Sequence, residues 1–88
     1  MDIYLATIIK FAGMFTPIGF ADCDGRLIQI QQNVALYSLL GNVYGGDGKT
    51  TFALPDLRPT DATGHKVSWH EGQPREIIAI QGVYPPRD

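Results

Sequence analysis

Residues 44–58 read YGGDGKTTFALPDLR and join a glycine-rich segment to a short apolar run. The glycines permit positive φ angles that other residues rarely adopt, so the first half of the segment predicts a loop. Asp47 stands between two of these glycines and is expected to accept hydrogen bonds from backbone N–H groups of the loop. The apolar run predicts a strand at 50–54, which Pro55 and Asp56 would end by beginning a turn.

One short helix is predicted before this loop, at about Gln32–Leu40. Its leucines follow helical spacing, as in a helix with one apolar face. Asn33 is the predicted N-cap, because its side chain can accept a hydrogen bond from an unpaired N–H group of the first turn. Gly41 stands where a left-handed residue commonly ends a helix.

The other strands are predicted on both sides of this region. Residues 3–12 (IYLATIIKFA) predict a first strand with two largely apolar faces, which indicates burial on both sides or at a subunit contact. Asp24-Gly25 predicts a tight hairpin turn between strands at 20–23 and 26–28. A last strand is predicted at 75–84 (REIIAIQGVY). The fold class is therefore α+β, mostly β, with one short helix.

Composition limits the chain to one small domain over residues 1–88, with 44% hydrophobic residues and a net charge of −2. The aromatic content argues against disorder, and the absence of a basic field argues against nucleic-acid binding. No apolar stretch is long enough to insert into a membrane. Met1-Asp2 lacks the positive start of a secretory signal, so we expect synthesis in the cytoplasm without a signal peptide. A single cysteine, Cys23, excludes an internal disulfide.

Two motifs resemble binding loops but lack essential positions. Gly48-Lys49-Thr50 matches the end of a phosphate-binding loop, yet Val43 stands where that loop needs its first glycine. Asp22-Cys23-Asp24-Gly25 resembles the start of a calcium loop, but Asn33 stands where the bidentate glutamate belongs. A flexible glycine loop and a turn are the favoured interpretations, and no cofactor is predicted.

The histidines and the cysteine are weak candidates for chemistry. His65 and His70 lie five residues apart and could hold a metal chiefly if symmetry-related chains shared the site, whereas ordinary exposure is favoured. Cys23 follows apolar residues and is interpreted as a small buried hydrophobe, not as a nucleophile. The sequence therefore predicts no enzyme.

A long polar excursion at 59–74 contains Trp69, which stands alone among polar residues. Its ring could stack on a sugar or on a neighbouring subunit, or it could fold back over the core of its own domain. The side chains proposed for ligand binding are Tyr44, Trp69, His70 and Arg75.

Three segments together resemble the phage tail collar domain family. Residues 11–25 (FAGMFTPIGFADCDG) are similar to its FAGNFAPRGWxxCDG, and residues 30–41 to its ISQNxALFSLLG. Residues 44–58 are similar to its YGGDGxTTFALPDLR. The resemblance covers about 8–58, over half of the chain. Phe20 replaces the usual Trp, Gln31 replaces a capping Ser, and Pro59 replaces a glycine-rich continuation, so a receptor-binding head is not carried over.

The resemblance implies a small tail-collar-like domain with a motif core at 8–58, a polar excursion at 59–74 and a C-terminal strand at 75–84. It implies a non-enzymatic structural part of a virion tail or an extracellular tail-like assembly, commonly trimeric. Expected partners are further copies of the chain and other tail or fibre proteins, with attachment to a host surface nearby. The alternative is a small carbohydrate-binding adhesin module that takes a cell-surface glycan. The residues expected to serve the motif itself are Asp24, Gly25, Gly45, Gly46, Asp47, Gly48, Pro55, Asp56 and Arg58.

Overall fold

The structure is a computed structural model that describes residues 3–86. It confirms a small, mostly β protein of the α+β class with one short helix. The elements are β1 (Ile8–Phe11), β2 (Phe20–Asp22), β3 (Leu27–Gln29), α1 (Val34–Leu40), β4 (Thr51–Ala53) and β5 (Arg75–Ala79).

The strands form two separate antiparallel sheets. β5 is the central strand of a three-stranded sheet in the order β1-β5-β2, and β3 pairs with β4 in a two-stranded sheet. Ile78 of β5 faces Ile8 of β1 on one side and Ala21 of β2 on the other. The last three residues of β5 are fully buried, and because neighbouring side chains of a strand point to opposite faces, both faces of the sheet are covered there.

The predicted hairpin at Asp24-Gly25 is wrong, although the predicted positive φ is present at Gly25 (78°). β2 and β3 do not pair with each other, because they lie in different sheets. Residues 54–57 instead form hydrogen bonds with the backbone groups of this turn. The Gly25 N–H donates to the Pro55 carbonyl at 3.2 Å, and the Leu57 N–H donates to the Cys23 carbonyl at 2.8 Å. The turn therefore connects the two sheets.

The first and last strands are shorter than predicted. The strand expected at 3–12 covers only Ile8–Phe11, because Ala6 has a positive φ of 69° that interrupts the extended backbone. The strand expected at 75–84 ends at Ala79, and the chain bends through Gly82 at a φ of 152°. Beyond these breaks, a single parallel bridge joins Tyr4 to Val83.

The helix begins at Val34, two residues later than predicted. Asn33 occupies the capping position but makes no side-chain cap. Its amide group donates to the Gln29 carbonyl at 2.9 Å instead of accepting from the first turn. At the other end, Gly41 has the predicted positive φ (60°) and its N–H donates to the Tyr37 carbonyl at 2.7 Å, but its ψ of −158° differs from that of the left-handed residue predicted there.

The core is one small cluster in which the helix and both sheets meet. The helix contributes Leu36 and β4 contributes Phe52, whose ring centroid lies 5.2 Å from that of Tyr37. Cys23 is buried in the same cluster, and burial raises the pKa of its thiol to about 12. Cys23 is thus a neutral core residue. Within residues 3–86, no helix has the length and apolar character needed to cross a membrane.

Candidate functional site

Asp47 organises the glycine-rich loop through its carboxylate. Oδ1 accepts the backbone N–H groups of Lys49 and Thr50 at 2.8 Å each and of Thr51 at 3.0 Å. Oδ2 accepts the Thr50 hydroxyl at 2.9 Å. Because all four bonds favour the ionised carboxylate, they hold the pKa of Asp47 well below its usual range. The structure thus shows Asp47 in the role expected from the sequence, that of a structural acceptor.

The backbone of this loop lies directly against β4. A Cβ on Gly46 would lie 2.5 Å from the Phe52 Cα atom and 2.7 Å from the Thr51 carbonyl oxygen, and Gly46 has a φ of 90°. Only glycine fits this position. The Tyr37 hydroxyl donates to the Gly48 carbonyl at 3.3 Å and ties the loop to the helix. A strand follows Gly48-Lys49-Thr50, whereas a phosphate-binding loop requires a helix there.

Two Asp-X-Arg pairs with matching geometry lie in the segments that follow β2 and β4. Asp24 receives Nε and Nη2 of Arg26 at 2.9 Å each, and Asp56 receives Nε and Nη2 of Arg58 at 2.9 and 2.8 Å. Each aspartate also accepts the backbone N–H of its own arginine. An antiparallel bridge joins Asp24 to Asp56 and places the pairs side by side. The sequence interpretation missed these pairs, although the spacing in DGR and DLR was visible.

The Asp24–Arg26 pair extends into a network through Asp22. The Arg75 Nη1 atom lies 3.3 Å from Asp22 Oδ2, and the Arg26 Nη2 atom lies 4.0 Å from the same oxygen. The bonded guanidinium groups lower the pKa of Asp24 and of Asp56. An exposed ion pair typically adds only about 0–1 kcal/mol to the free energy of unfolding, but a bidentate contact also fixes the relative orientation of the two side chains. The network therefore aligns the segments that connect the two sheets.

Three of the four proposed ligand-binding residues lie together. Trp69, His70 and Arg75 line a depression of about 180 Å³, to which Met14 also contributes. Trp69 and Arg75 also border a second depression of about 220 Å³ that contains Arg58. Trp69 is half-buried, so its side chain lies partly at the surface and is not part of the buried core. Arg75 presents a guanidinium group whose buried Nε has no hydrogen-bond partner among residues 3–86. Tyr44 lines neither depression.

The histidines occupy separate local environments. His65 lies in a turn in which Asp61 accepts its backbone N–H at 2.9 Å, and its Nδ1 atom lies 2.7 Å from the Thr63 hydroxyl. The backbone N–H of His70 donates to the Gln73 side chain at 3.0 Å. Over the described residues 3–86, no group of three or more His, Cys, Asp or Glu side chains could hold a metal ion. A metal shared between chains remains a prediction.

The family model of the phage tail collar domain matches residues 6–60, which is more than half of the chain. The chain belongs to the phage tail collar domain family. The glycine-rich loop, the helix and both Asp-X-Arg pairs lie inside the matched segment of this collar domain. No curated protein and no solved structure matches the chain.

Family membership places the collar domain among structural components of phage tails and is consistent with a role other than catalysis. The boundary of the match separates the two kinds of site residue. The residues that build the loop and the ion pairs precede residue 60, whereas Trp69, His70 and Arg75 follow it. The loop and the Asp-X-Arg pairs therefore lie inside the matched segment, whereas the candidate ligand depression is lined both by the segment beyond residue 60 and by Met14 within the match.

Proposed function

We propose that this collar domain is a building unit of a tail fibre or collar assembly, in which identical copies associate, as a homotrimer, and help to attach the assembly to a cell surface. Other tail or fibre proteins are the further partners. The proposal is supported by the family membership and by the amount of surface that the chain exposes. A protein that functions as a monomer is not expected to expose a large excess of apolar area.

The accessible surface area carries the proposal. The chain exposes 6135 Å². A monomeric protein of this mass would expose about 5,100 Å² by the usual scaling of area with mass. The excess of roughly 1,000 Å² is comparable to the area of about 800 Å² that each partner contributes to a standard interface. Association with further copies would bury such an excess.

Light scattering on the purified full chain, coupled to size exclusion over a concentration series, tests self-association. Three copies of the 9.7 kDa chain would give a particle of about 29 kDa. A particle that stays at the mass of one chain at all micromolar concentrations would contradict the proposal.

A second candidate function, a small carbohydrate-binding adhesin module, is favoured by one observation. Trp69, His70 and Arg75 line a single depression. An aromatic ring can stack on the apolar face of a sugar, while the histidine and the guanidinium group can bond its hydroxyls. Attachment to a cell-surface glycan would then use the segment that follows the matched collar region.

A glycan array separates this candidate from a purely structural role. Trp69→Ala should abolish binding, because it removes the stacking surface. Tyr44→Ala is the matched control, since Tyr44 is an exposed aromatic residue that lines neither depression near Trp69. Absence of binding by the original chain, or equal loss in both variants, would eliminate the adhesin function and leave the structural role intact.

A further inference from the structure

The segment from β1 to the start of β2 exposes an unusual density of apolar side chains. We name residues 8–18 the β1–β2 arm; they read IIKFAGMFTPI. Met14, Phe15 and Ile18 are 91%, 78% and 97% exposed, and they lie within five consecutive residues. Ile8 and Ile9 are exposed at the beginning of the same arm.

The arm is fixed in place at its centre. The Thr16 hydroxyl donates to the Asp22 carboxylate, and the Phe20 N–H donates to the Pro17 carbonyl at 3.2 Å. Asp22 is itself held by Arg75. Since Thr16 bonds inward to Asp22, the apolar side chains on either side of it are presented outward by an ordered connection.

The edge of the sheet next to the arm is also open. Among the described residues, β1 pairs only with β5, so one edge of β1 keeps free N–H and C=O groups. Natural proteins usually protect such an edge with charged residues, with proline or with a covering segment. Lys10 is the only charged residue of the arm. An open edge with apolar side chains on both faces is suited to contact another protein surface.

A groove adjoins the far end of the arm. Ile18 borders a depression of about 280 Å³ together with Ile3, Phe20 and Val83. The same surface therefore offers both projecting apolar side chains and a concave site, to whose lining Gln81 also contributes. Three nearly fully exposed side chains supply on the order of 300–600 Å² of apolar area, close to half or more of one side of a standard interface.

We propose that the β1–β2 arm, with the groove that adjoins Ile18, is the surface through which two copies of this chain contact each other. A second copy fits the observations for two reasons. The excess accessible area matches what one copy contributes to an interface, and a nearly uncharged arm does not repel its own copy. A membrane surface would require a basic cluster, which the arm lacks. This inference rests on the proposed self-association and adds its location.

The test compares charge-introducing variants by light scattering. Phe15→Glu and Ile18→Glu should each weaken self-association by more than about tenfold, because both place a charge in the buried centre of the contact. Val43→Glu is the matched control, since Val43 is 81% exposed but lies outside the arm. Circular dichroism should show the same secondary structure in all three variants.

A labelling measurement covers the case in which the charged variants do not fold. In a Met14→Cys chain, maleimide should modify Cys at position 14 quickly in dilute solution and several-fold more slowly when the protein is concentrated enough to associate; the buried Cys23 does not compete. The original chain could associate while both arm variants keep the same associated mass, or while position 14 of the Met14→Cys chain is labelled equally fast at all concentrations. Either result would show that the contact lies elsewhere, although self-association itself would stand. A monomeric original chain would overturn both, whether or not the arm binds lipid vesicles.

Discussion

Gly46→Ala tests whether the glycine-rich loop is fixed by direct contact with β4. Two costs add at this position. A side chain at a φ of 90° costs about 1–2 kcal/mol, and a Cβ 2.5 Å from the Phe52 Cα atom forces backbone to move, which costs about 1–3 kcal/mol more. The sum of about 2–5 kcal/mol is a large part of the roughly 4–13 kcal/mol expected for a domain of this size. The melting temperature should fall by on the order of 10–40 °C.

Gly64→Ala is the matched control, because it isolates the first of these costs. Gly64 has a nearly identical φ of 89°, but a Cβ there would meet no atom within 4 Å. Its expected loss is therefore about 1–2 kcal/mol at most. Both variants are measured by thermal and urea denaturation at one fixed protein concentration, since association would shift the midpoint. A loss for Gly46→Ala no larger than for Gly64→Ala would refute the reasoning.

Three further predictions concern the loop, the core and the ion pairs. The lowered pKa of Asp47 stabilises the fold above the ordinary carboxyl pKa, and that stability is lost as pH falls below it, so acid titrations should show a shallower loss for Asp47→Asn than for the original chain. Leu36→Ala should cost about 2–5 kcal/mol by urea denaturation, clearly more than the half-buried Leu39→Ala. Arg58→Lys keeps the charge but loses the two-pronged contact with Asp56, so its urea midpoint should fall; an unchanged midpoint would show that charge alone suffices.

The sequence predicted turns and breaks better than it predicted strand partners. Positive φ at Gly25 and Gly41 followed from residue type, because the preference of glycine for these angles is local. The partner of β3 did not follow from any local signal. A short strand after Asp24-Gly25 could pair back or pair forward, and here the contacts with β4, far along the chain, outweigh the tight turn.

In the candidate site, too, the local features could be predicted from the sequence and the features that depend on tertiary contacts could not. The acceptor role of Asp47 could be predicted, since its donors lie within four residues of it. Each Asp-X-Arg pair is equally local and could also have been predicted. Their side-by-side arrangement could not, because the bridge between Asp24 and Asp56 depends on how the two sheets meet. The proximity of Trp69 and Arg75 to Met14 also depends on tertiary structure, and no residue spacing in the sequence predicts it.

The position of β5 explains how the collar features and the later segment depend on each other. β1 and β2 belong to the matched collar segment, yet within residues 3–86 they do not pair with each other, and each pairs only with β5. β5 lies beyond the match and brings the buried Ile77 and Ile78 into the centre of the sheet. Arg75, the first residue of β5, then reaches Asp22 at the end of β2 and lines both depressions beside Trp69. The strand that completes the collar sheet is thus the same strand that positions the candidate ligand surface, so a change in the register of β5 would alter the fold and that surface together.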